Sequence, residues 1–321
     1  MQPIVKSRTS GWLELLRPPN LLTVPGDPIA GYFLAMPALA VQPRLLATSI
    51  ATSVCWYVAG LILNDVVDFE EDRHDRPQRP LPSRRVARSA ALTVAILLFV
   101  VGGLFALTLG AAARWMALAL LLSILIYDLG GKKVPILGAV NMGLCRGFSL
   151  LLGAAAAAGH GWCTPPPTLA FDVLVVYVAS VSHLAREEAS LRKAGGERWI
   201  PAFVIAGSFA LLSRLQPPTS LTAMMVFCCS FLFACALALL VADTLELAVP
   251  EDRSADPQPL RRQLRRWIVP DLIGLLLGAI LLVQAGLIMV SQGGEAAQLA
   301  GVFLLAAWPF HRILSRSFYA S

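Results

Sequence analysis

The chain has 321 residues, of which 57% are hydrophobic and only 14% charged, and its mean hydropathy is +0.68. That is too little polar surface to cover a water-soluble globule of this size, so a polytopic membrane protein is expected. The net charge of +6 comes from basic residues that hold topology and meet anionic lipid, so a pI near 9.2 is no argument for a nucleic-acid partner.

Apolar windows of roughly 17–25 residues match the thickness of a bilayer core. Ten occur, near residues 20–42, 46–66, 89–110, 113–129, 134–158, 168–187, 199–214, 219–243, 268–291 and 297–314, the seventh being the shortest. Lys6, Arg8 and Arg17 precede the first window. That window is too long for a signal-peptide core and lacks a small-residue cleavage pattern, so no cleavable leader is expected. With the N-terminus placed inside, 22 of the 26 Lys and Arg fall on inner segments. Arg44, Arg114 and Arg214 lie outside and Arg146 within a span. This asymmetry predicts a multi-pass protein of the inner (plasma) membrane with both termini cytoplasmic. Outer links are short, apart from the Pro-rich GHGWCTPPPT at 159–168, and the layout is that of a single membrane domain over 1–321.

The second window ends in NDVVDFEEDRHDRPQRPLPS, residues 64–83, which carries six carboxylates. On a helix, Asn64, Asp68 and Asp72 recur every four residues, and Asp65 is seven from Asp72, so their oxygens lie along one stripe. Such a stripe suits Mg²⁺, which takes oxygen ligands and is usually held by one or two carboxylates together with substrate phosphates. Arg76 and Arg79 follow at once, and guanidinium forks match phosphate oxygens.

Further along, YDLGGKK (127–133) closes the fourth window with a glycine turn and two lysines, an arrangement that anchors a helix end at lipid headgroups. Arg146 is expected two or three turns into its helix, where a charge needs a partner or a wet cavity and marks function by default. The sixth window ends in Arg186, Glu187 and Glu188, which read as a solvated helix end or as a second acidic cluster facing the first. His183, one turn earlier, suits hydrogen bonding, acid–base work or ordinary packing. Residues 249–267 are polar and Pro-bearing, and their later part suits a short basic interfacial helix. Five of the six cysteines fall within spans and the four histidines are scattered, so neither a disulfide framework nor a His-built metal site follows.

The run Asn64, Asp65, Asp68, Asp72, Arg76, Pro77, Arg79, Pro80, Leu81, Ser83 resembles the first aspartate-rich motif of the UbiA-type intramembrane prenyltransferases. ELLRPPNLLTVPGDPIAG is similar to the opening span of that family, with Asn20 at a cavity-lining position, and the Tyr127–Lys133 turn to its diphosphate-contacting loop. The resemblance implies an all-α bundle around a central cavity open to the cytoplasmic side, with Mg²⁺ and diphosphate at its mouth. It implies prenyl transfer from a prenyl diphosphate to an aromatic or other small nucleophilic acceptor. Asp65, Asp68 and Asp72 become the catalytic acids. Asn64, Asp68 and Asp72 hold metal, with Glu187 and Glu188 as further ligands. Arg76, Arg79, Lys132, Lys133 and Arg146 bind diphosphate, and Asn20, Tyr127 and His183 line the cavity. One departure stands out: where members carry a second aspartate-rich motif, this chain reads Ala185-Arg186-Glu187-Glu188, a feature similar to the EboC-like members. Nine spans are usual in the superfamily, against ten windows here. A CDP-alcohol phosphotransferase is disfavoured because no D-G-x-x-A-R run occurs, and a non-enzymatic carrier of a lipophilic metabolite is the alternative.

Overall fold

The computed structural model describes residues 8–36, 41–189, 196–215, 217–247, 259–291 and 294–318. Three short helices open the chain, α1 (Arg8–Leu16), α2 (Pro18–Leu21) and α3 (Gly26–Ala35). They are followed by α4 (Pro43–Val67), α5 (Phe69–Asp75), α6 (Arg88–Leu107), α7 (Ala111–Asp128), α8 (Pro135–Ala158) and α9 (Pro165–Ala189). The remainder comprises α10 (Ile200–Leu215), α11 (Leu221–Leu247), α12 (Pro259–Met289) and α13 (Gly294–Phe318). Among the described residues nine helices are long and apolar enough to cross a membrane, and they coincide with nine of the ten windows.

The first window behaves differently. Pro18, Pro19, Pro25 and Pro28 crowd into eleven residues; each lacks a backbone N–H, and beyond the first turn of a helix each removes a hydrogen bond and kinks or breaks it. The result is a turn between α2 and α3, and α3 at ten residues is about 15 Å long, half a bilayer core. Non-helical backbone at membrane depth survives only where protein or a cavity supplies its hydrogen bonds. Here the freed Thr23 carbonyl accepts from Arg146 Nη2 at 2.8 Å and from Gln284 Nε2 at 2.9 Å.

α3 sits deep, packed chiefly on α8 and also on α12. The contact is close enough that a methyl added at Gly31 would run into the Leu150 carbonyl and one at Gly153 into that of Pro28, the small-residue packing that lets membrane helices approach. α12 is the most enclosed span, with 89% of its apolar window buried against 22% for α6. The exposed Ile96, Leu97, Val100 and Leu104 of α6 form a lipid-facing surface. The basic stretch expected to form a separate interfacial helix is instead continuous with α12 from Pro259; residues 248–258 lie outside the described residues.

Candidate active site at one end of the bundle

α4 ends at Val67, and Asp68 stands at the join with α5 (φ −79°, ψ 5°). The helical hydrogen bonding nevertheless carries through, Asp68 N to Asn64 O at 3.0 Å and Asp72 N to Asp68 O at 2.8 Å, so the four-residue stripe persists across the join. The chain then folds back on itself. Leu81 and Val86, each 3% exposed, bury in a small core with Leu15, Ile62 and Ala91, which returns Arg79 to the stripe. Its Nη1 lies 2.6 Å from Asp72 Oδ2 and 3.8 Å from Asp65 Oδ1.

A second cation arrives from the glycine turn after α7. Gly130 takes φ +148°, a conformation few side-chain-bearing residues adopt, and Lys132 beyond it puts Nζ 2.6 Å from Asp68 Oδ1 and 2.8 Å from Asn64 Oδ1. Asn64 Nδ2 in turn donates to Asp68 Oδ2 at 3.3 Å. The turn is held from α9, where the Arg186 guanidinium donates to the Lys132 carbonyl. Arg186 thus joins the site as a positive group beside the first acidic stripe. The side chains of Glu187 and Glu188 lie outside the described residues.

These groups line an open polar chamber, which Arg76, Lys133, Glu71 and Asp75 also border. Behind it lies a second, mainly apolar cavity, walled by Trp56, Leu61, Leu120, Ile124, Met142 and Cys145 among others. Arg17, Asn64 and Tyr127 belong to both walls and so mark the passage between them. Arg17 Nη2 also meets Asp65 Oδ1 at 2.9 Å. Asn20 lies within reach of the Tyr57 hydroxyl in the cavity wall. His183 is half-buried on α9, and neither wall includes it.

Arg146 stands apart from the stripe and does not border the polar chamber. It lines the inner cavity, its Nε 2.8 Å from Asp27 Oδ2 and its Nη2 on the Thr23 carbonyl. Gln284 Nε2 completes the knot by donating to Asp27 Oδ1 at 2.6 Å. The reason is the break between α2 and α3, whose loose carbonyl and buried acid need a cation at mid-depth. Sequence reasoning missed Asp27 as that partner, although an intramembrane Arg demands a counter-charge and Asp27 is an acid inside the first window. It also took Arg17 for a topology anchor and passed over Asp128, which sits in the cavity wall.

The donor set can be tested against Mg²⁺. Asn64, Asp68 and Asp72 offer hard oxygens to the polar chamber, but among the described residues no three His, Cys, Asp or Glu converge into a metal cage. This fits an ion shared with substrate phosphates, the usual habit of Mg²⁺, and does not fit a closed all-protein site.

A model of the UbiA prenyltransferase family matches residues 28–242, from α3 to α11. The digeranylgeranylglyceryl phosphate synthase of Methanoculleus marisnigri is 30% identical over 197 residues, covering 61% of this chain and 68% of its own length. The enzyme of the same name from Natronomonas pharaonis is 27% identical over 228 residues, covering 66% and 77%. Among solved structures, a UbiA homologue from Aeropyrum pernix K1 superposes with a TM-score of 0.63 at 17% identity, covering 84% of this chain and 96% of that one. A UbiA homologue from Archaeoglobus fulgidus, solved with GPP and Mg²⁺ bound, gives 0.55 at 14% identity over 84% and 99%. These structural likenesses establish the fold, and the family match over two thirds of the sequence establishes descent: the chain belongs to the UbiA prenyltransferase family.

Proposed function

We propose that the protein uses Mg²⁺ to move an isoprenyl group from a prenyl diphosphate onto an acceptor held in the apolar cavity. One observation carries this reading: a chamber rich in carboxylates and cations opens onto an apolar cavity through a passage lined by Arg17, Asn64 and Tyr127. A prenyl diphosphate has that same polarity, a polyanionic head on a greasy tail.

The head would lie among Arg76, Arg79, Lys132 and Lys133, with Arg17 and Arg186 at the edges. Negative charge grows on the departing diphosphate as its bond to C1 breaks, so fixed cations there favour the transition state over bound donor. Lys132 and Arg79 are held ready by Asp68 and Asp72 at 2.6 Å and need little reorganisation. Mg²⁺, carried in with the donor and taken by Asn64, Asp68 and Asp72, would supply further neutralisation. The cavity walls keep water from the allylic cation. Arg146, pinned to Asp27 and Thr23, supports the wall and takes no part in holding the head.

The relatives' shared name, which describes two isoprenyl chains on glyceryl phosphate, favours an alcohol oxygen as nucleophile over the aromatic ring expected from the sequence. The mouth faces the cytoplasm in this reading, because the basic residues gather on that side. Incubating the purified protein with labelled prenyl diphosphates and Mg²⁺, with and without an acceptor panel, tests it. Mg²⁺-dependent binding and diphosphate release are expected, and both should disappear on chelation. Failure to bind any prenyl diphosphate in the presence of Mg²⁺ would defeat the proposal.

A further inference from the structure

We infer that Asp128 is the base that receives the proton of the acceptor's hydroxyl, so that the enzyme builds an ether rather than a carbon–carbon bond. The inference rests on the prenyl-transfer reading above and adds to it the chemical class of the nucleophile. Asp128 ends α7 and is 3% exposed, yet its Oδ2 has no hydrogen-bond partner. Its acidic neighbours are placed differently. Asp65, Asp68 and Asp72 each face an Arg or Lys within 2.9 Å, whereas no ion pair to Asp128 forms among the described residues. A buried acceptor oxygen with no donor is costly to maintain. It is retained without loss where a bound molecule supplies the missing O–H.

The apolar cavity reaches this carboxylate, since Asp128 lines its wall together with Gly60, Ile124 and Tyr127. Gly60 itself is closely packed: an added Cβ would come 2.8 Å from Ile124 Cγ2 and 3.4 Å from Asp128 Oδ2. The position along the chain is equally telling. Asp128 follows Tyr127, which borders both chambers, and precedes by four residues the Lys132 that grips Asp68. A donor with its head in the polar chamber and its tail in the cavity places C1 at this passage, beside Asp128 and a nucleophile lodged in the cavity.

The step then balances. A lone pair of the acceptor oxygen forms the bond to C1, the C1–O bond breaks with its electrons leaving on diphosphate, and the hydroxyl proton passes to Asp128 Oδ2. The proton afterwards leaves through the polar chamber.

The test uses the full-length protein in lipid nanodiscs, with geranylgeranyl diphosphate and Mg²⁺ as donor. Two acceptor probes are compared, geranylgeranylglyceryl phosphate as an alcohol and 4-hydroxybenzoate as an aromatic ring, with O- and C-prenyl products separated by mass spectrometry. The wild type is expected to give the O-prenyl ether. Asp128→Asn should lower kcat about 100-fold or more, the scale of losing a positioned proton acceptor, while calorimetric affinity for the donor is kept. Asp128→Glu should recover part of the rate. An Asp128→Asn rate close to wild type overturns the inference, as does donor binding that falls in step with the rate. Carbon-prenylated product, or no product from the alcohol, does the same. In each of those cases Mg²⁺-dependent donor binding by the wild type persists; its absence instead defeats prenyl transfer itself.

Discussion

Two groups of charges occupy this bundle and serve opposite ends. At the mouth, Lys132–Asp68 and Arg79–Asp72 are tight pairs, but their side chains keep 8–27% exposure and border a large polar chamber. At mid-depth, Arg146–Asp27 is sealed, at 7% and 0%, with Gln284 and the Thr23 carbonyl closing around it. Partners that border an open chamber can exchange for incoming ligand groups at less cost than partners sealed from it. Removing one member of a sealed pair strands the other and costs about 3–5 kcal/mol. On the proposed function, substrate takes over the cations of the mouth, whereas the interior knot holds a broken helix in place.

The sharpest way to break that distinction is to truncate one acid in each region. Asp68→Ala should abolish transfer, a fall of at least about 10³-fold on the scale of removing a group that fixes transition-state charge. Stability in detergent should change by no more than about 1 kcal/mol. Wild-type-like turnover would remove Asp68 from the metal and diphosphate site. Asp27→Ala should do the reverse, lowering unfolding stability by about 3–5 kcal/mol while Mg²⁺-dependent donor affinity in the surviving folded fraction stays near wild type. The double variant Asp27→Asn, Arg146→Met should recover much of that loss, because no charge is left stranded. If it is as unstable as the single change, the pair is not the source of the stability.

The mouth was legible in the sequence and the knot was not, for a physical reason. Asn64, Asp68 and Asp72 are local to one helix and its continuation, so a four-residue period places them together before any tertiary contact is known. Arg79 and Lys132 come within reach because a buried loop and a glycine turn, both short, leave few alternatives. The knot instead joins residues 27, 146 and 284, and no period links positions so far apart. Arg146 was visible as a charge in need of a partner, but the acid it pairs with, Asp27, lies far off in the sequence. The broken first window had its signal in four closely spaced prolines, masked by an otherwise apolar run. Asp128 was hidden inside a motif read for its lysines.

A change without charge sharpens the comparison from the packing side. Gly31→Ala adds one methyl against the Leu150 carbonyl, which must push α3 away from α8 and so loosen the knot without altering any of its polar atoms. Overpacking of this kind costs about 1–3 kcal/mol, less than removing Asp27. Thermal unfolding in detergent should rank the two in that order. A Gly31→Ala protein as stable as wild type would show that α3 can shift without disturbing Asp27 and Arg146.

The smallest effect is expected where a pair belongs to neither group. Arg85 lies in the same basic run as Arg76 and Arg79 but turns away from the chamber, gripping both oxygens of Glu14 at 2.9 and 2.7 Å with 13% and 11% exposure. It also donates to the Gln78 carbonyl at 2.8 Å, tying the loop to α1. Being committed to a carboxylate that no substrate reaches, it should act on stability alone: Arg85→Ala should lower it by about 1 kcal/mol and change donor affinity by less than about twofold, under 0.5 kcal/mol on the binding scale. Arg79→Ala, only six residues away, should weaken donor binding about 10-fold or more, the loss of one charge-assisted hydrogen bond to phosphate. Calorimetry on the two variants side by side decides the matter, since equal losses of affinity would mean that the loop as a whole, rather than the single guanidinium directed at the chamber, determines how the diphosphate is held.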